Sequence, residues 1–370
     1  MSGRARPAGV VAYVVVFVGF LLLFFALFER FYAYPRLAKA PEDQFSTLAA
    51  DGTGTYFSRG TLKEISGAQF RSTRVVRGDE QASDANTAVW DTFVTVTDFA
   101  DGTPISATRE RVAFDRTTSE PVHCCGEEPQ HQGVVLKFPF GVQQRTYQFW
   151  DATLKRAFPL EYQGQEDVLG VHTYRFQQVI PPTKASETTV PGGLVGQPES
   201  PNVSVDIVYG NTRTVWVEPT SGIVVRGQES VRQTLRNLNG QDVITLLDGT
   251  LAYNDQTVAK QADAARQARS DLNLIRTTLP LGAAVVGLLL IVAGLVIGRG
   301  RRPRAADRDE GLGLLRDGGA RASSGPAASG RTAPGAAAAP APAANAERAP
   351  ATDPPATDPA KPTKAPGAGG

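Results

Sequence analysis

Two long runs without a charged residue stand out along the chain of 370 residues. The first is Val10–Phe28 and the second is Leu279–Ile297. Each has the ~20 residues that an α-helix needs to cross the hydrocarbon of a bilayer. The pattern therefore predicts two transmembrane helices, at 10–28 and 279–297, with one large segment between them.

The first run also fits a cleaved signal peptide. The apolar region of a signal peptide is usually ~7 to 15 residues long and ends at a site with small residues. Here the run is longer and continues directly into Glu29 and Arg30, and the A-x-A sequence at Ala38 is followed by Pro41. We therefore favour an uncleaved anchor.

Arginines after the second run orient the protein. They are Arg299, Arg301, Arg302 and Arg304. Basic residues concentrate on the cytoplasmic side of membrane spans, and long connecting domains cross the membrane largely regardless of charge. We expect a two-pass protein of the plasma membrane with both termini inside. Residues 1–9 are then cytoplasmic, and the domain at 29–253 is extracytoplasmic.

The segment between the spans alternates like a set of β-strands. Phe93–Phe99 leads into Asp101-Gly102, and Ile105–Phe114 resumes the alternation, which is typical of a hairpin. Ser221-Gly222 and Asn239-Gly240 are placed as the turns of two further hairpins. The sequence predicts a mainly β (β-rich α+β) domain built on an antiparallel sheet.

Three stretches depart from this alternation. Residues 181–201 are rich in Pro, Gly, Ser and Thr, and we expect a long surface loop or linker. Residues 254–278 begin with the N-cap candidate Asn254 and predict a mostly solvated stalk helix. Residues 298–370 become rich in Ala, Pro, Gly and Ser and predict a disordered cytoplasmic tail.

Composition excludes several classes of function. The net charge is +1 and the domain has no basic blocks, so it lacks the footprint of a nucleic-acid-binding protein. Two cysteines and three histidines leave few nucleophiles or soft metal ligands. We therefore expect a protein that is not an enzyme and has no cofactor.

His123-Cys124-Cys125 is the most unusual local motif. Thiols outside the cytoplasm tend to be oxidised, so we expect a disulfide between the neighbours Cys124 and Cys125. A reduced pair and an intermolecular bridge are the alternatives. A zinc site that adds His123 and His131 has suitable ligand types, but consecutive residues in an extended chain point in opposite directions and rarely converge on one ion.

One apolar strand face is a candidate ligand-binding wall. It contains Val168, His172, Tyr174, Phe176 and Ile180, while Asp167, Thr173, Arg175 and Gln177 are placed on the opposite face. We expect the first set to line an apolar cavity that receives a lipid. The alternative is an ordinary filled core, which close packing of protein interiors favours.

A glycan hydrolase is a further alternative. Its candidate acids are Asp115, Asp151 and Glu218, and its candidate sugar-stacking residues are Trp90, Trp150 and Trp216. Tryptophan in a strand usually packs in the core or at a sheet edge, and no Gly-x-Ser-x-Gly nucleophile motif accompanies these residues.

Four segments carry a family resemblance: VAFDRTTSEPVHCCGE, GVVLKFPFGVQQRTYQFWDAT, EDVLGVHTYRFQQVIPPT and TVWVEPTSGIVV. With these segments the chain resembles the actinobacterial two-span envelope proteins of the porin PorA family, long described as a domain of unknown function. The resemblance extends from the first span to the second. It implies an architecture and an envelope location rather than an activity.

The sequence leaves four functional hypotheses. The first is an envelope protein that binds a lipid or another amphipathic ligand. The second is a scaffold whose cytoplasmic tail is a partner site. The third is an envelope glycan hydrolase. The fourth is a porin-like role, for which the two apolar helices supply no water-facing surface.

Overall fold

Two apolar helices flank the β domain in the computed structural model, which describes residues 7–299. Helix α1 is Pro7–Phe28 and helix α4 is Leu279–Arg299. Both are long and apolar enough to cross a membrane. Residues 1–6 of the predicted N-terminal segment and residues 300–370 of the predicted tail lie outside the described residues.

Helices α1 and α4 pack antiparallel on small residues spaced seven apart. Ala12, Gly19 and Ala26 are the buried positions of α1, and Gly287 and Gly294 are buried on α4. A Cβ atom added to Gly19 would lie 2.6 Å from the carbonyl oxygen of Gly287. Small residues of this kind allow two backbones to approach closely in a membrane. The first residue of α1 and the last residue of α4 are therefore at the same end of the pair.

Ten strands form one antiparallel sheet, which confirms the mainly β prediction. In chain order they are β1 Phe45–Ser58, β2 Lys63–Gly78, β3 Thr87–Asp98, β4 Pro104–Asp115, β5 Tyr147–Asp151, β6 Arg156–Val168, β7 Val171–Val190, β8 Val203–Val217, β9 Val224–Arg236 and β10 Asp242–Tyr253. Their spatial order is β4-β3-β2-β1-β10-β9-β8-β7-β6-β5, so β1 and β10 lie side by side in the middle. The predicted hairpins at Asp101-Gly102, Ser221-Gly222 and Asn239-Gly240 are confirmed.

The sheet is curled, and its concave face carries the side chains of Trp90 on β3, Phe176 on β7 and Arg213 on β8. The indole of Trp150 on β5 contacts β4 on the opposite side of the curl. Its Nε1 donates a hydrogen bond to Oε1 of Glu110 on β4 at 3.1 Å. Strands β4 and β5 occupy opposite edges of the sheet. The curl therefore brings the two edges together around a shared core.

The loop predicted at 181–201 is wrong in its first half. Strand β7 continues through Pro181 and Pro182 as far as Val190. The register with β8 shifts between Ile180 and Thr183, so the prolines lie in a bulge where their missing N–H groups break no ladder. Beyond β7, a single helical turn at Gly192–Val195 leads to β8.

The predicted stalk is the helix α3, Asp255–Asn273, which follows the short helix α2, Tyr34–Leu37, in chain order. The Asn254 side chain accepts a hydrogen bond from Thr257 N at 3.0 Å, as an N-cap does. Ala262 and Ala265 are fully buried against Trp216 on the convex face of the sheet. The first half of α3 is therefore packed on the domain rather than solvated as predicted.

Candidate functional site

A closing segment, residues 116–146, joins the two edges of the curled sheet. Arg111 N on β4 donates to Glu128 O at 2.9 Å, and Glu128 N donates to Arg111 O at 3.0 Å. Further along, Val134 N donates to Gln148 O at 2.7 Å, and Trp150 N donates to Val134 O at 2.9 Å. One end of the segment thus bonds to β4 and the other to β5.

A chain of histidines and glutamates runs from the closing segment to β4. Glu127 is central, with Oε2 at 2.8 Å from His123 Nδ1 and Oε1 at 2.9 Å from His131 Nδ1. His131 is 1% exposed, and its Nε2 is 3.8 Å from Glu110 Oε2. Burial alone would raise the pKa of the Glu127 carboxyl, but its hydrogen bonds to His123 and His131 outweigh burial and lower it.

Cys124 and Cys125 are bonded to each other in the structure. The carbonyl of Cys125 accepts a hydrogen bond from Arg111 Nε at 3.0 Å, which fixes this turn to β4. Within residues 7–299, no three His, Cys, Asp or Glu side chains are arranged to hold a metal ion. The zinc alternative therefore has no support from this arrangement.

The redox state of the pair can be tested directly. We expect the full chain, isolated from membranes without reductant, to take up no alkylating reagent at Cys124 or Cys125, since both thiols are joined in one bond. Peptide mass analysis before and after reduction measures this. Two alkylated cysteines in the unreduced protein would contradict the expectation.

A polar cluster fills the concave side at the level of β8. Arg213 Nε donates to Glu229 Oε1 at 2.7 Å, its Nη1 donates to Gln178 Oε1 at 2.8 Å, and its Nη2 is 3.5 Å from Asp151 Oδ2. Tyr209 OH donates to the same Asp151 oxygen at 3.0 Å. The Arg213 side chain is only 11% exposed. Sequence reasoning missed this cluster, although the alternation of β8 places Arg213 on the same face as Tyr209.

The pKa shifts inside this cluster are caused by burial and by the neighbouring charges. Burial raises the pKa of the Tyr209 hydroxyl, and the Asp151 charge raises it further. Burial opposes ionisation of Glu229, yet the guanidinium of Arg213 overcomes this and lowers the pKa of the Glu229 carboxyl. The cluster is therefore a paired, charged network rather than a neutral one.

The three candidate catalytic acids are each engaged in their own turn. Asp115 Oδ1 accepts from the backbone N–H groups of Thr117 and Thr118. Asp151 Oδ1 accepts from the backbone N–H groups that follow it, at 3.1 and 3.0 Å. Glu218 accepts from Ser221 N and Oγ, both at 2.7 Å. These contacts explain the acids as turn-forming residues.

The three tryptophans lie in the core and do not form exposed platforms. Trp90, Trp150 and Trp216 are 5%, 4% and 6% exposed. Their ring nitrogens donate to Pro41 O, Glu110 Oε1 and Glu166 Oε2, respectively. This is the arrangement expected of tryptophans that pack inside a domain.

The candidate ligand-binding wall is divided in the structure. Val168 ends β6 and pairs with Val171 across a two-residue turn, so it packs under α3 on the convex face. Tyr174 and Phe176 pack together, whereas the His172 side chain is 45% exposed and meets Tyr174 edge-on. Ile180 is buried further along β7. The assignment of Val168 to this face is wrong because the turn at Leu169-Gly170 reverses the chain after Val168; both turn residues have positive φ.

The opposite-face assignment needs a correction at Asp167, which pairs directly with His172 and therefore lies on the same face as His172. Thr173 does lie on the opposite face, and there it is fully buried. Helix α3 covers the convex face at that level, and the Thr173 hydroxyl donates a hydrogen bond to Glu166 O. A strand can therefore bury both faces where a helix covers its outer side.

Lys137 is a half-buried amine that sequence reasoning also missed. Its Nζ donates to Phe138 O at 2.8 Å and Ser221 O at 3.1 Å, so it ties the closing segment to the β8–β9 turn. Gly222 in that turn has φ 75°, and a Cβ there would lie 2.3 Å from Phe138 O, so only glycine allows this contact. Burial lowers the pKa of the Lys137 amine to about 7.

The lowered pKa of Lys137 predicts a pH-dependent reactivity. Because the neutral amine is the nucleophile, acetylation of Lys137 by acetic anhydride is expected to reach half of its maximal rate near pH 7. Peptide mapping across a pH series measures the midpoint, with the exposed Lys260 followed in the same samples to monitor the reagent. An acetylation midpoint above pH 9 for Lys137 would show that burial does not lower the pKa of this amine.

Two hollows of the described residues lie away from the predicted wall. One, of 290 Å³, is an open surface hollow lined by Pro41, Glu42, Asp43, Glu80 and Arg116. The other, of 30 Å³, lies beside Pro182 and Val208. Neither is bordered by the candidate wall residues, and neither offers an apolar chamber for a lipid chain.

Comparison with known proteins identifies the family. Residues 11–296 match the family model described as Porin PorA. A Corynebacterium amycolatum protein named porin PorA is 26% identical over 250 residues, which cover 52% of this chain and 65% of that protein. A Corynebacterium resistens protein of the same name is 25% identical over 281 residues, covering 54% and 68%. The aligned part is thus about two thirds of the length of these relatives. The chain belongs to the porin PorA family.

Proposed function

We propose that the protein is a non-enzymatic, membrane-anchored envelope protein whose β domain is held at the membrane by both ends. The close antiparallel packing of α1 and α4 carries this proposal. Strands β1 and β10, which lead to the two helices, are neighbours in the sheet, so both anchors attach at one place. The turn contacts of Asp115, Asp151 and Glu218 support a role without catalysis.

The proposed orientation has both termini in the cytoplasm and the β domain outside. The antiparallel pairing of α1 and α4 supports placing both termini on the same side of the membrane. The arginines that begin with Arg299 support the cytoplasmic side. Reporters active only outside the cytoplasm, fused after Gly240 or after Arg304, test this. Activity is expected from the first fusion alone, and the reverse result would overturn the proposed orientation.

The two relatives are named porins. We propose that a channel formed by this protein requires several copies of the chain. Helices α1 and α4 are apolar on all sides and offer no water-facing stripe. In residues 7–299 the concave side of the sheet is filled by the Arg213 cluster and by aromatic rings such as Phe138. The described part of a single copy therefore has no surface suited to line an aqueous passage.

Reconstitution of the full chain tests the requirement for several copies. Conductance in planar bilayers is measured together with the number of chains per particle, counted by stepwise photobleaching of a single fluorophore on each chain. Conductance is expected only where several chains are present. Conductance steps from particles with one chain would overturn this proposal.

The predicted lipid-binding function is tested separately by native mass spectrometry of the full chain. The division of the candidate wall between Val168, under α3, and Phe176, inside the curl, supports a filled domain. We expect the protein ejected from detergent micelles to carry no lipid in fixed stoichiometry. One retained lipid per chain would return the carrier hypothesis to first place.

A further inference from the structure

Two strand edges remain open at the end of the sheet remote from α3 and the flanking helices. On β4, the closing segment bonds to the outward groups of Arg111, Ala113 and Asp115. Outward-facing residues alternate along an edge strand, so Ala107 and Arg109 belong to the same series. In the described chain no backbone partner meets their outer side. The first open edge is therefore the part of β4 around residues 107–109.

The second open edge is on β7. Its pairing with β6 covers only the residues up to Gln178. Residues 183–190 pair with β8 on one side, and within residues 7–299 they have no strand on the other. Strand β7 runs toward the end at which β4 begins, so both open edges lie at the same end of the sheet.

The two edges match in direction and in charge. Strands β4 and β7 run in opposite directions, so they can pair antiparallel like every other pair of this sheet. Arg109 is exposed and makes no ion pair with a described residue. Glu187 on β7 pairs with Lys184 of its own strand at 3.2 Å and accepts a hydrogen bond from Ser204, but its side chain remains 59% exposed. A register that sets Arg109 opposite Glu187 also sets Ala107 opposite Thr189.

The four side chains belong to the same face of the sheet. On β4, Val112 and Phe114 point into the core, which places Ala107 and Arg109 on the convex face. On β7, Thr188 pairs with the fully buried Val205, which places Glu187 and Thr189 on the convex face as well. Opposite residues of an antiparallel pair share a face, and an Arg–Glu pair there is favourable.

We propose that the occupant of the open β4 edge is the β7 edge, residues 183–190, of a second copy of this chain. Two membrane spans give every copy the same orientation, which favours head-to-tail contacts between unlike edges over a symmetric contact between like edges. Each contact adds a β4–β7 ladder and continues the sheet from one copy to the next. This inference rests on the proposed assembly of several copies and names the surface that joins them.

Cysteine cross-linking of the full chain in membranes tests the contact. Chains with Ala107→Cys and chains with Thr189→Cys are produced together, and oxidation is expected to link one to the other. The matched control combines Ala107→Cys with Thr250→Cys; Thr250 is also exposed but lies on the central strand β10. Protein without introduced cysteines reports any linkage through Cys124 and Cys125.

Charge reversal separates a specific register from random collision. Glu187→Lys is expected to lower the linked fraction about fivefold, because like charges then oppose each other, and adding Arg109→Glu is expected to restore it. Arg109→Pro removes an N–H that points away from β3, so the β3–β4 hairpin is retained while assembly is lost. Circular dichroism of each variant verifies that the sheet has formed.

Three outcomes would overturn the proposed contact. The first is a link within one chain of an Ala107→Cys/Thr189→Cys double variant, which would show that the sheet closes on itself. The second is equal linkage of the Thr250→Cys control. The third is an assembly of several chains without any link between residues 107 and 189; in that case the proposed function stands and the edge contact falls.

Discussion

Replacement of Arg213 by methionine is expected to destabilise the β domain by ~3–5 kcal/mol, since it leaves buried acceptors without their cation. Asp151 is 1% exposed and would keep only the Tyr209 hydroxyl and its own turn as partners. This cost is a large part of the ~5–15 kcal/mol by which domains are usually stable. Thermal or urea unfolding of the full chain in detergent, followed by far-UV circular dichroism, measures it.

The control for Arg213 is the same substitution at the surface. Arg232 pairs with Asp248 at 2.7 Å, but its side chain is 57% exposed, so Arg232→Met is expected to cost ~0–1 kcal/mol. Adding Glu229→Gln to Arg213→Met is expected to recover part of the loss, since a neutral amide is easier to bury alone. Equal effects of Arg213→Met and Arg232→Met would contradict the structural importance of the cluster.

The pH dependence of the Arg213 cluster has a definite sign. The pKa of Glu229 is lowered in the folded protein by Arg213, so its stabilising contribution is present above the unfolded pKa of about 4.5. That contribution is lost as the pH falls through the lower folded pKa. The wild-type protein should therefore lose more stability than Arg213→Met between pH 6 and pH 3, as unfolding curves at each pH would show.

Leucine at Gly19 is expected to separate α1 from α4, the second large effect. Its side chain would meet the Gly287 carbonyl and the Ile291 side chain, both at 2.6 Å from the added Cβ. Backbone atoms on a facing helix cannot move aside as a flexible side chain can. The distance between Ala12 and Gly294 reports how closely α1 and α4 pack. In the wild-type protein a Cβ added to Gly294 would lie 3.0 Å from the Ala12 carbonyl oxygen.

Cross-linking between cysteines at positions 12 and 294 measures this separation in membranes. The rate is expected to fall about tenfold in Gly19→Leu, equivalent to ~1.4 kcal/mol of lost helix pairing. Gly9→Leu and Gly282→Leu are matched controls, because an added Cβ at either position meets nothing within 4 Å. An unchanged rate in Gly19→Leu would mean that the small residues do not set the helix contact.

Turn residues and alternating strands made much of the fold predictable from the sequence. Asp101-Gly102 and Asn239-Gly240 supply residues that adopt positive φ without strain, and each lies between alternating segments, so their hairpins follow from the sequence. The Leu169-Gly170 turn was missed because leucine is an unusual residue at positive φ. That one turn accounts for the incorrect placement of Val168.

Contacts across the curl could not be predicted from the sequence. Trp150 meets Glu110, and Lys137 meets Ser221, only after both edges of the sheet come together around the closing segment. Alternation along a strand identifies two faces, but it does not say which part of the convex face a helix covers. Thr173 is buried for this reason, although it lies on the face opposite the predicted apolar wall.

The central position of β1 beside β10 also determines when the sheet can be completed during synthesis. Strands β1 to β4 can form hairpins early, but the inner edge of β1 stays unpaired until the last strand, β10, emerges. The register that joins Ala50 to Tyr253 closes a loop of almost the whole domain, and contacts of such long sequence separation form slowly. The growing chain therefore carries an exposed strand edge through most of its synthesis. Final closure of the domain coincides with the arrival of α3 and α4, so folding and membrane insertion end together.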